Sequence, residues 1–291
     1  DMDHDRATRL IDDTWDRSII PSLCDYVKIP NKSPLFDPDW ARKGHMDAAV
    51  ALMEGWCREQ PVRGMTVDVI RLEGRTPILL IEVEGQGDDT VLLYGHLDKQ
   101  PEMEGWREGL GPWKPVLEGD RLYGRGGADD GYSAFAALGA IEAVQAAGGS
   151  HPRCVVIIEG SEESGSPDLP AYIEALADVI GTPQLVVCLD SGAADYEHLW
   201  VTTSLRGMVA GDLRVRVVEE GLHSGAYGGV VPDGFRILRR LLERIEDSGD
   251  GRVVVGQAWG QIPPETQAAL AQAASLVGAG RVAEVPWTPG V

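Results

Sequence analysis

The chain has 291 residues, 43% of them hydrophobic, and a formal net charge of −20. That length suggests roughly two domains, and the apolar content is enough for a buried core, which sets disorder aside. The excess of carboxylates argues against nucleic acid or an anionic membrane surface as partner, since both require a basic footprint. No uncharged apolar run approaches the ~18 residues of a membrane-spanning helix, and the polar N-terminus carries no signal-like apolar stretch. Four widely spaced cysteines, Cys24, Cys57, Cys154 and Cys188, form no CxxC pair. In a chain this long they favour a reducing, cytoplasmic setting over a disulfide framework.

Residues 5–27 read as an amphipathic helix, with Leu10, Ile11, Trp15, Ile19, Leu23 and Val27 on one face. A loop follows at 31–40, marked by Pro34 and Pro38, and a second helix at 47–58. Short aliphatic runs at 77–83, 90–94, 153–159 and 185–189 read as strands, and Val155-Val156-Ile157-Ile158 suggests a sheet buried on both faces. An alanine-rich helix spans 131–147 and ends at Gly148-Gly149. The alternation predicts an α/β fold: a helix-covered mixed or parallel sheet forming a first domain over 1–203. From 204 to 291 the pattern reads as the beginning of a smaller α+β domain. It has a half-exposed strand at 208–218, a glycine-rich loop at 221–229, an amphipathic helix at 233–247 and a weakly periodic tail.

Residues able to carry chemistry gather at strand ends. The run 90–94 leads into Gly95-His96-Leu97-Asp98, where residues two apart in extended chain face the same side. Asp129-Asp130 follows a glycine-rich stretch and opens the alanine-rich helix. Helix capping is one explanation, and a phosphate cradle is disfavoured by the two negative charges and the lack of a GK[ST] sequence. Glu162-Glu163 follows the strand at 153–159, and Asp190 follows the strand at 185–189, the edge at which open α/β sheets place their ligands. Each alone is an ordinary polar turn. Together they would repel strongly without cations among them, and a set of one histidine with carboxylates suits Zn²⁺ or Mn²⁺ rather than Ca²⁺.

The combined text resembles the co-catalytic dizinc exopeptidase and aminoacylase family, in particular its carnosinase and cytosolic non-specific dipeptidase branch. The matching segments are Gly95-His96-Leu97-Asp98-Lys99-Gln100-Pro101, Gly105-Trp106, residues 122–130, residues 159–165, and His223-Ser224-Gly225 with Tyr227-Gly228-Gly229. The resemblance implies hydrolysis of dipeptides or short peptides, with N-acyl amino acid deacylation by the same dimetal site as the alternative. It assigns His96 and Asp190 to one zinc, Asp129 as a bridge and Glu163 to the other zinc. Asp98 would orient His96, and Glu162 would be the general base acting on a water between the metals. It also implies a cis peptide at Asp129-Asp130, a substrate contact from His223 and a homodimer through the second, lid-like domain.

Two departures stand out. Gly131 follows the Asp pair where relatives commonly have lysine. The family also places a second-metal histidine near the C-terminus, whereas here no histidine follows His223. His45, His151 and His198 are poor substitutes. The chain is therefore expected to be the N-terminal portion of such an enzyme, lacking its last zinc ligand, with an inactive metal-binding fragment as the contrasting expectation.

Overall fold

The computed structural model of the chain describes residues 2–278, 285, 287 and 288. The chain divides into two units, Asp1–Ser191 and Gly192–Val291. The first opens with α1 (His4–Thr14), which runs through a wider turn at Trp15–Ile19 into α2 (Ile20–Val27), filling the single helix predicted at 5–27. Asp3 caps it, its side chain accepting from the Arg6 amide. A short α3 (Trp40–Lys43) precedes α4 (His45–Glu59). The strands are β1 (Met65–Ile70), β2 (Ile78–Val83), β3 (Thr90–His96), the small hairpin β4 (Val116–Glu118) and β5 (Arg121–Tyr123), β6 (Arg153–Glu159) and β7 (Leu185–Cys188). Between them lie α5 (Ser133–Ala146), α6 (Leu169–Ala175) and α7 (Ala177–Ile180).

Five strands form one mixed sheet in the order β1-β2-β6-β3-β7. β1, β2 and β6 pair antiparallel, while β3 runs parallel to both β6 and β7, with His96 opposite Glu159 and Tyr94 opposite Cys188. Strand side chains alternate between faces, and here both faces are apolar. Leu79, Ile81 and Val83 of β2 join Val156 and Ile158 of β6 against Leu23, Tyr26, Met53, Phe135 and Leu138. The intervening Ile78, Leu80, Val155 and Ile157 pack against Tyr172 of α6, Ile180 of α7 and Leu176 between the two. The α/β expectation therefore holds, as three layers. β1 and the hairpin escaped the sequence reading because β1 alternates with exposed polar residues and the hairpin strands are only three residues long.

The second unit differs from its sequence reading. Residues 208–218 form no strand: their side chains are mostly exposed and no neighbouring strand supplies ladder partners among the described residues. Alternating polarity had suggested one, but a strand needs a hydrogen-bonded neighbour as well as a pattern. Helices α8 (Ser224–Tyr227), α9 (Gly234–Leu242) and α10 (Pro264–Val277) follow. α9 is shorter than the predicted 233–247, giving way to a turn closed by the Glu246–Val253 bridge. α10 lies in the tail read as weakly periodic. Its alanine-rich composition favours a helix without an amphipathic stripe.

The main core gives a direct check. Phe135 is fully buried and meets Trp56 edge-to-face with centroids 4.7 Å apart. Phe135→Ala is expected to destabilise the fold by about 3–5 kcal/mol, read from the denaturant midpoint at unchanged slope. A loss below about 1 kcal/mol would show that this ring is not part of a tight core.

Candidate metal centre

The parallel trio β6-β3-β7 decides which residues meet. Its three C-terminal ends lie side by side: β3 ends at His96, β6 leads into the turn carrying Glu162 and Glu163, and β7 leads into Asp190. The Asp129-Asp130 segment, whose peptide bond is cis, runs into α5 beneath β3. Gly95 permits this approach, since a Cβ there would lie 2.6 Å from the Asp130 Oδ2 atom and 2.2 Å from Ser133 Oγ. The His96 amide donates to Asp130 Oδ2 at 3.1 Å.

His96 is wholly buried. Its Nδ1 lies 3.0 Å from the carbonyl oxygen of Asp98, which can only accept, so Nδ1 carries the hydrogen and Nε2 presents its lone pair. That Nε2 is buried and has no hydrogen-bond partner. It faces Asp129 Oδ1 at 3.3 Å, Asp190 Oδ2 at 3.7 Å and Glu162 Oε2 at 3.8 Å. A lone pair aimed at three carboxylate oxygens is unfavourable unless a proton or a cation lies among them.

Two sets of side chains can each converge on one ion: His96 with Asp129 and Asp190, and His96 with Glu162 and Glu163. The first brings together the three residues expected from the sequence at one ion and its bridge. The second brings Glu162 next to Glu163, and Asp129 also lies within hydrogen-bonding reach of Glu163. His96 is the sole histidine in these sets among the described residues, so His45, His151 and His198 do not join them. His223 belongs to the second unit, immediately before α8, and is exposed.

Asp98 has a wider role than orienting one ring. Its backbone carbonyl takes the Nδ1 hydrogen, and its carboxylate accepts the amides of Glu162 and Glu163 at 3.1 and 3.0 Å. One residue thus fixes both the imidazole and the acidic turn. Sequence reasoning gave no role to Gln100 or to Asp130's buried carboxylate. Gln100 Nε2 donates to Glu163 Oε2 at 2.5 Å and leaves the buried Oε1 unpartnered. Gln100 was already inside the quoted motif, four residues beyond His96, but its contact crosses to another strand end.

The electrostatics follow from this crowding. Burial would lower the His96 pKa, but the adjoining carboxylates of Asp129, Asp98 and Asp130 raise it to about 11. Burial raises Asp130 to about 7. Burial also raises Glu162, opposed by His96 and reinforced by Asp190 and Asp98. For Asp129 the sign reverses: the adjacent His96 ring pulls it down against its burial.

The sequence model of peptidase family M20/M25/M40 matches residues 92–289, and the chain belongs to that family. It is 32% identical over 167 residues to a cysteinylglycine-S-conjugate dipeptidase of Corynebacterium striatum, covering 57% of this chain and 36% of that protein. It is 30% identical over 207 residues to the human Beta-Ala-His dipeptidase, covering 66% and 38%. The chain thus spans well under half the length of these relatives. Among solved structures it resembles the di-peptidase Dug1p of Saccharomyces cerevisiae, with TM-score 0.59 and 22% identity over 90% of this chain and 57% of that one. It also resembles the metallo-carboxypeptidase Sso-CP2 of Sulfolobus solfataricus, with TM-score 0.64 and 18% identity over 94% and 61%. These two likenesses establish the shared fold.

Because imidazole and carboxylates bind a cation only in their deprotonated forms, and the carboxylates around His96 raise its pKa, ion uptake should release protons. Titrating a divalent cation at pH 7 in buffers of different ionisation heat should reveal about one proton released per ion bound at His96. Affinity should rise with pH. Uptake without proton release would contradict this charge arrangement.

Proposed function

We propose that this chain is the metal-holding portion of a dipeptidase, cleaving dipeptides or similarly short peptides with Glu162 as general base. The observation that carries this reading is the buried, unpartnered His96 Nε2 facing three carboxylates at 3.3–3.8 Å, in a chain of this peptidase family. One imidazole and several carboxylates suit Zn²⁺, with Mn²⁺ as the alternative. His96 and Asp190 would hold one ion, Asp129 would be shared, and Glu163 would serve a second. When bound, the pair would supply Lewis acidity that acidifies a water and polarises the scissile carbonyl. The second ion has Asp129 and Glu163 in this chain, and its remaining ligand is proposed to come from outside these 291 residues.

The chain's own residues divide the remaining work. Asp98 holds His96 in the Nδ1–H tautomer and steadies the Glu162-Glu163 turn through two amides. Glu162 takes a proton from the attacking water and returns it to the leaving amine. Its burial raises its pKa toward the working range of a base that must also give the proton back. His223, from the second unit, would stabilise the developing oxyanion. In this reading the first unit is the catalytic portion, and residues 204–291 begin a lid through which two copies pair.

The names of the relatives support the substrate class: one is a Beta-Ala-His dipeptidase and another a cysteinylglycine-S-conjugate dipeptidase. All four cysteines are free, which supports a cytoplasmic setting. Among the described residues, no helix is long and apolar enough to cross a membrane.

The test is a substrate panel with Zn²⁺ or Mn²⁺ present. Free dipeptides are expected to turn over, and Glu162→Gln should cut the rate by about 10²–10⁴-fold while leaving bound metal in place. Turnover of N-acetyl amino acids with none of dipeptides would replace the peptidase reading with a deacylase. Failure of the folded, metal-loaded chain on both classes would identify a metal-binding fragment that is inactive alone.

A further inference from the structure

Lys99 is an unusual residue to find beside an acidic centre. It is completely buried, and no carboxylate pairs with it among the described residues. Its Nζ instead donates to the carbonyls of Tyr26 and Ile29 at 2.8 and 2.7 Å, at the C-terminal end of α2. It also sits 3.9 Å from the centre of the Tyr26 ring. Carbonyls at a helix end, together with an aromatic face, are a favourable surrounding for an amine that burial has stripped of water.

The same two side chains brace both ends of the segment that delivers Asp129. A Cβ on Gly126 would lie 2.7 Å from the Lys99 stem, and one on Gly131 would lie 2.2 Å from the Tyr26 ring. The Gly131 amide donates to the Gly126 carbonyl at 2.9 Å, closing the segment on itself. On the strand side, Tyr26 Oη and Asn31 Nδ2 both donate to the Leu97 carbonyl at 2.6 Å, between His96 and Asp98. The Lys99 amide donates to Asn31, and the Lys99 carbonyl accepts from Ser33. Lys99 thus connects the strand end holding His96 and Asp98, the end of α2, and the turn holding Asp129.

We propose that Lys99 is a positioning residue for the metal centre, setting the separation of His96 from Asp129 by clamping the Gly126–Gly131 turn against the end of α2. This role rests on the metal-binding reading above. It predicts that the loss of Lys99 weakens ion binding beyond any general loss of stability.

The experiment measures Zn²⁺ affinity by competition with a chromophoric chelator, alongside thermal unfolding, for wild type, Lys99→Met and Phe135→Leu. Lys99→Met keeps the stem but leaves the Ile29 carbonyl without its donor and takes one donor from the Tyr26 carbonyl, which keeps the Ile29 amide. Its Kd for Zn²⁺ is expected to rise about 10–100-fold, as for other residues that orient ligands without touching the ion. Phe135→Leu lowers stability through the core and is expected to keep the wild-type Kd. If Lys99→Met fails to fold, Gly126→Ala, which pushes on the Lys99 stem, carries the same expectation.

A folded Lys99→Met or Gly126→Ala protein with wild-type Kd would overturn the positioning role alone. Equal loss of affinity in Phe135→Leu would also overturn it, by reducing the effect to stability. No Zn²⁺ binding by the wild type would overturn the metal reading beneath it.

Discussion

A buried imidazole whose outer nitrogen has nothing but carboxylates in front of it is the constraint on which this structure turns. The Asp98 carbonyl accepts from Nδ1 and so fixes the lone pair on Nε2. Asp129, Asp190 and Glu162 then converge on that lone pair from three different chain segments. Holding a buried lone pair before these partly exposed carboxylates is costly unless positive charge offsets it. The rest of the first unit makes this geometry inescapable. β3 lies between two parallel neighbours, and each of the three strands releases its acidic or imidazole group at the same edge.

The rigidity of that edge comes from hydrogen bonds that span segments distant in sequence. Asp98 ties the strand end to the amides of Glu162 and Glu163, and Asp130 receives the His96 amide. Gln100 engages one oxygen of Glu163 and leaves the other buried without a partner. Beneath these, two apolar layers hold the sheet on both faces. A ligand set kept in place by packed strands and their immediate hydrogen bonds is more exact than one built on loops alone.

Much of the fold was legible because its buried strands and long helices carry strong patterns. Val155-Val156-Ile157-Ile158 suggested a strand buried on both sides, and the alanine-rich α5 sequence read as a helix. The ligand candidates were legible too, since His96, Glu162, Glu163 and Asp190 follow strands directly. What could not be read was anything that depended on a partner. The stretch 208–218 has a strand's alternation without a strand beside it among the described residues, and β1 has a partner without a strong pattern. Lys99 and Gln100 were inside a quoted motif, yet their contacts reach α2 and the Glu163 turn, which adjacency in sequence does not reveal.

Whether His96 and its carboxylates hold a cation is the central question for this protein. The most direct measurement is metal content per chain by mass spectrometry after loading with Zn²⁺ and removing loose ion, for wild type and His96→Ala. Retention of at least one ion by the wild type, lost in the variant, is the predicted result. No retained ion, or equal retention in both, would contradict the central claim.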